Sequence, residues 1–156
     1  MNVEDWTGKE ISSALFGLRC MSSDSVEVLK VLSALTRIIQ SSNDSLNMEE
    51  IGMALNGLQS MTSESSEVRA LLHALLPKVQ SSEGMFSSLS ITIAIQGLRN
   101  MSCDDQEVRQ MVLELIPKIE ASRNNVTIEH TKIVMTNLEN MGNHPLIAAL
   151  KFLFAN

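Results

Sequence analysis

The side chains with which this chain could attack a substrate, move a proton or hold a metal are three histidines, two cysteines and one pair of adjacent aspartates. A metal site or an activated thiol needs such groups at short, characteristic spacings. His73, His130 and His144 form no such motif with one another, with Cys20 or with Cys103. Asp104 and Asp105 resemble a carboxylate pair for acid–base work, but they fall in a column of helix starts, where a carboxylate serves as a cap. The sequence contains neither a glycine-rich phosphate loop nor a G-x-S-x-G turn. It therefore predicts no catalytic residue, no metal site and no cofactor, and so a protein that is not an enzyme. Recognition chemistry is better represented. Asn56 and Gln96 carry amides that can bond a base edge, Arg19 and Arg99 can meet a phosphate or a carboxylate, and Phe16 is an apolar group set among them.

Such residues act together only if a frame brings them to one surface, and the frame here is a tandem repeat. GLRCMSSDSVEV begins at Gly17, GLQSMTSESSEV at Gly57, GLRNMSCDDQEV at Gly97 and a degraded NLENMGNHPLIA at Asn137, a constant period of 40 residues. Leu18, Leu58, Leu98 and Leu138 share one column, and Met21, Met61, Met101 and Met141 share another, where the methionines read as core filling. Each unit reads as two helices. Thr7, Asn47, Ser87 and Thr127 are candidate caps of the first, with Glu10 and Glu50 completing capping boxes in units one and two. Trp6, Leu46, Phe86 and Val126 precede the caps and line up with Ile11, Ile51 and Ile91 as hydrophobic staples, which Thr131 weakens in the fourth unit. Ile51, Ala54, Leu55, Leu58 and Met61 follow one helical face. A serine-rich turn leads to a second helix starting near Asp24, Glu64 or Asp104, whose buried face in unit two is Val68, Leu71, Leu72, Leu75 and Val79.

The predicted fold is all-α: an α-solenoid of four 40-residue two-helix repeats, about eight helices in a right-handed stack, with the last repeat degenerate. Residues 1–156 form one domain, with units at approximately 6–45, 46–85, 86–125 and 126–156. Gly17, Gly57 and Gly97 sit inside the first helix, where glycine costs about 1 kcal/mol against alanine. Their recurrence predicts a steric need for a neighbouring helix to come close. Pro77 and Pro117 fall inside second helices and are expected to kink or end them. In unit four Lys151 stands in a column that is otherwise Val31, Leu71 and Met111, so its second helix is expected to be rotated in phase. Cys20 and Cys103 lie two units apart, beyond disulfide reach, and are expected to be free thiols.

Composition narrows the function. Twelve Lys and Arg against 18 Asp and Glu give a net charge of −6, which disfavours duplex DNA and anionic membranes as partners. Aromatic residues are only 3% of the chain, so base-stacking platforms are not expected. No apolar run is long enough for a membrane span, and MNVEDWTGKE lacks the basic start of a signal peptide, so the default expectation is an intracellular, cytoplasmic protein.

The stretches IGMALNGLQSM and EVRALLHALLPKV, with their equivalents in the other units, resemble helical repeats of the octotricopeptide and heptatricopeptide type. That resemblance implies single-stranded RNA as a ligand of the first helices. HEAT-like and armadillo-like repeats are also similar, and imply a protein ligand. Four columns on the first helix vary between units and are expected to face outward. They are Lys9, Glu49, Leu89 and Glu129; then Ser12, Gly52, Thr92 and Lys132; then Phe16, Asn56, Gln96 and Thr136; then Arg19, Gln59, Arg99 and Glu139. Variable side chains on a constant frame are how solenoids present a binding surface. The expected ligand surface is Ser12, Phe16, Arg19, Asn56, Gln59, Thr92, Gln96, Arg99, Lys132 and Thr136. The expected partner is a protein or peptide, with single-stranded RNA as the alternative. Self-association through exposed solenoid ends is a further possibility.

Overall fold

The computed structural model describes residues 6–155. Among them are eight α-helices and no strand: α1 (Gly8–Phe16), α2 (Val26–Ser41), α3 (Met48–Asn56), α4 (Ser66–Ser81), α5 (Ser88–Gly97), α6 (Gln106–Ser122), α7 (Ile128–Asn140) and α8 (Pro145–Phe154), with one 3-10 turn at Arg123–Asn125. The odd-numbered helices pack side by side as one layer, and the even-numbered helices as another. Four hairpins thus stack into an all-α solenoid with the apolar core between the layers.

The local chemistry explains the boundaries. Thr7, Asn47, Ser87 and Thr127 accept from the amides of Glu10, Glu50, Ser90 and His130 at 2.9–3.1 Å, so all four first-helix caps form. Only the Asn47–Glu50 box closes in both directions, with the Glu50 carboxylate accepting from Asn47 N at 2.9 Å. The second-helix cap positions lie one residue beyond Asp24, Glu64 and Asp104. Ser25 and Ser65 cap α2 and α4, accepting from Val28 N and Val68 N at 3.4 Å. Asp105 occupies the equivalent N-cap position of α6, as expected, but without a side-chain cap bond.

Ile11, Leu15, Ile51, Leu55, Ile91 and Ile95 of the first helices are buried against Leu32, Leu72 and Val112 of the second. Each such side chain contributes roughly 1.5–3 kcal/mol when fully removed from water. Met61, Met101 and Met141 join this core, while Met21 of unit one is 46% exposed. Within the first-helix layer the glycines set the distance. A Cβ on Gly57 would collide with the carbonyl oxygen of Leu15, and one on Gly97 with that of Leu55. At Gly17 the added atom would meet only its own helix, at 3.3 Å from the Ala14 oxygen.

The serine-rich connections are structural ties. Ser42 and Ser82 donate to the carbonyls of Trp6 and Leu46, each at 2.7 Å, and Ser122 accepts from Phe86 N at 2.9 Å. Between units, Ser23 accepts from Thr62 N at 3.1 Å and Ser63 from Ser102 N at 2.9 Å. Lys78 donates to Ser42 O and Asp44 O, and Lys118 to Ser82 O. Burial holds the Lys78 ammonium below its ordinary value, against the pull of Asp44. No buried side-chain nitrogen or oxygen among the described residues is left unpaired.

Neither proline ends its helix: α4 is 16 residues long, as is proline-free α2, and α6 is 17. Pro77 and Pro117 lie on the exposed side. The carbonyls they leave without an N–H belong to His73 and Leu113, also exposed, where water can serve them. In unit four His144 caps α8, accepting from Leu146 N at 3.2 Å, one residue earlier than the 40-residue period requires. That one-residue advance is the phase shift. Leu150 takes the core place of Met111, and Lys151 is left half-buried where Val112 would be covered.

Candidate interaction surface

In a helix, successive side chains point about 100° apart, so a column one residue off the true surface faces a neighbour. That happens to part of the strip expected from sequence. Ser12, Thr92 and Asn56 are 1%, 4% and 4% exposed, and lie in the seams between first helices. Ser12 donates to Lys9 O at 3.1 Å and Thr92 to Ser88 O at 2.8 Å, so each hydroxyl is satisfied within its own helix. Gly52, in the same column, would place a Cβ 2.9 Å from the Ser90 oxygen. The Asn56 amide donates to Ile93 O of α5 at 3.0 Å. All three are withdrawn from the expected ligand surface, and of them Asn56 ties one unit to the next.

The arginines are engaged too. Arg19 lies 4.2 Å over the ring of half-buried Phe16 and donates to the Phe16 carbonyl at 3.0 Å. Phe16 is thus covered by its own neighbour. Arg99 donates through Nε to Gln59 O at 3.3 Å, closing the end of α3 from the following unit. Gln59 and Gln96 are half-buried, and only Lys132 and Thr136, both on α7, stand fully in solvent. Thr136 spends its hydroxyl on Lys132 O at 3.0 Å.

The true outward face passes through a column that the sequence reading did not single out: Ser13, Met53, Ile93 and Ile133. Met53 and Ile93 are half-buried and Ile133 is 44% exposed. Leu89, one turn before Ile93 on α5, is 58% exposed. Because α3, α5 and α7 are neighbours, these side chains make an apolar ridge across three units. The signal was present as Met, Ile and Ile recurring where a solvated face should be polar. Beside the ridge stand the exposed side chains of Lys9, Glu49 and Glu129, a column that does face outward as expected.

Among the concavities elsewhere, two adjoin the connections between units. One of about 540 Å³ sits where α4 meets the connection after α2, lined by His73, Pro77, Lys78 and Asp44 among others. Half-buried Lys78 already serves two carbonyls there. The other, about 340 Å³, is bounded by Val126, Ile128, Leu153 and Phe154 near the end of the stack. Cys20 is exposed and Cys103 buried, both as free thiols, and burial pushes the Cys103 thiol above its ordinary pKa. Among the described residues, no three His, Cys, Asp or Glu side chains gather to hold a metal ion, and no helix is long and apolar enough to cross a membrane. No family model matches the chain, and neither curated proteins nor solved structures give a significant match.

Proposed function

We propose that the chain is a non-enzymatic helical-repeat scaffold that recognises a protein or peptide through the outward face of its first helices. The observation that supports this is the Met53–Ile93–Ile133 ridge with Leu89 beside it. Leu89 and Ile133 are left 58% and 44% exposed, and Met53 and Ile93 half-buried between them, on a layer whose spacing is fixed by glycine seams. Contiguous exposed apolar groups with a polar rim are typical of docking sites. The RNA reading has less behind it, because Arg19 and Arg99 are held by Phe16 and Gln59, and Lys9 and Lys132 stand beside Glu49 and Glu129.

The test is capture from cell extract by the wild-type chain and by a Leu89→Ser, Ile133→Ser double variant, each with and without ribonuclease. The expected result is a set of proteins retained by the wild type, lost by the variant and indifferent to ribonuclease, with equal melting temperatures for the two chains. Equal capture by both chains removes the ridge from consideration, and capture abolished by ribonuclease transfers the function to RNA.

A further inference from the structure

We infer that the partner seated on this ridge is an amphipathic α-helix with a basic polar side, an assignment that rests on the protein-recognition reading above. The ridge supplies one apolar group per repeat: Met53 on α3, Ile93 on α5 and Ile133 on α7. Packed helices stand roughly 8–10 Å apart. A helix laid along the ridge rises about 10 Å over seven residues, so apolar side chains one heptad apart meet successive units. Leu89, a turn away from Ile93, widens the apolar strip on α5 for a second partner residue three or four positions on.

An extended segment gains less from this surface. The first-helix backbone is spent on its own hydrogen bonds and caps, so a strand would find no ladder of free amides and carbonyls to pair with. A helix arrives with its backbone already satisfied and needs only an apolar face from its host. The sign of the partner's polar side follows from the rim. Glu49 and Glu129 are exposed one turn before Met53 and Ile133, Glu10 and Glu139 are exposed elsewhere on this layer, and its exposed cations are Lys9 and Lys132. The two arginines nearby are tied to backbone carbonyls. The chain as a whole carries 18 acidic against 12 basic residues. Lysines or arginines flanking the partner's apolar stripe would meet carboxylates, and acidic flanks would be repelled.

The experiment uses three labelled peptides titrated into the full chain: one with leucines at heptad spacing among lysines, one of the same composition scrambled, and one with the leucine pattern kept and glutamates in place of lysines. The expected result is that the patterned lysine peptide binds at least about tenfold more tightly than either control, a difference of about 1.4 kcal/mol. Its binding is expected to weaken with salt and to fall by a similar factor with the Leu89→Ser, Ile133→Ser variant. Equal binding of the scrambled peptide would reduce the effect to general charge attraction and overturn the inference. Equal binding of the glutamate peptide would overturn the basic partner while leaving the ridge as a docking face. If no peptide binds but the double variant still loses its captured proteins, the helical basic partner alone is refuted. If that capture is also unchanged, the protein-recognition reading falls with it.

Discussion

The seam between α3 and α5 and the seam between α5 and α7 join the same kinds of helix in two different ways. At the first, Gly97 lets its helix sit against the carbonyl of Leu55, closer than any side chain would permit. At the second, Asn137 occupies the glycine column, its amide turns back to Ile133 O of its own helix at 3.1 Å, and α7 packs less extensively. The stack is therefore tight where glycine recurs and looser where it is lost. The missing atom, rather than any added contact, sets how closely two repeats can dock.

Gly97→Val should give the largest effect. The new side chain has only backbone to displace, so a loss of about 3 kcal/mol or more is expected, lowering the melting temperature by roughly 6–12 °C. Next, Ser82→Ala would strip the Leu46 carbonyl of its buried donor, at about 1–3 kcal/mol by chemical denaturation. Gly17→Ala should be far milder, within about 1 kcal/mol of the wild type, because Gly17 caps α1 at a φ of −61° that alanine adopts and no neighbouring helix stands in its path. A loss as large as that of Gly97→Val would show that the two glycines are equivalent after all. Cys103 offers a smaller, pH-dependent contrast with Cys20. Its thiol pKa is raised in the folded state, so the fold keeps this proton longer than the unfolded chain does. The stabilisation is complete below the ordinary thiol pKa and is lost as pH climbs through it toward the folded value. Cys103→Ala should flatten that alkaline decline, and thiol labelling at neutral pH should modify Cys20 at once and Cys103 only on unfolding. Least of all, Leu89→Ser and Ile133→Ser should leave stability within about 0.5 kcal/mol of the wild type.

Much of this architecture is legible in the residues. The period, the four first-helix caps and the steric demand of Gly57 and Gly97 all follow from columns of like chemistry. The outward strip was legible only in part, and Ser12 and Thr92 show why. A hydroxyl that bonds a carbonyl of its own helix needs no water, so a small polar residue can sit in a seam as comfortably as alanine. Polarity then ceases to report the direction of a side chain. Asn56 and Arg99 escaped for a different reason, since their partners, Ile93 O and Gln59 O, lie 37 and 40 residues away. Pro77 and Pro117 were legible as residues but not in effect, because their exposed position makes the lost bond cheap.

The ties from Ser23 to Thr62 N and from Ser63 to Ser102 N link each repeat only to its nearest neighbour. Under tension applied at its two ends, such a stack has no bond that spans the whole length to share the load. It should yield hairpin by hairpin from the looser and shorter fourth unit, each full repeat that follows releasing 40 residues. That is a lengthening of roughly 130 Å per step at full extension, so the molecule would pay out chain in near-equal increments, as a ratchet does.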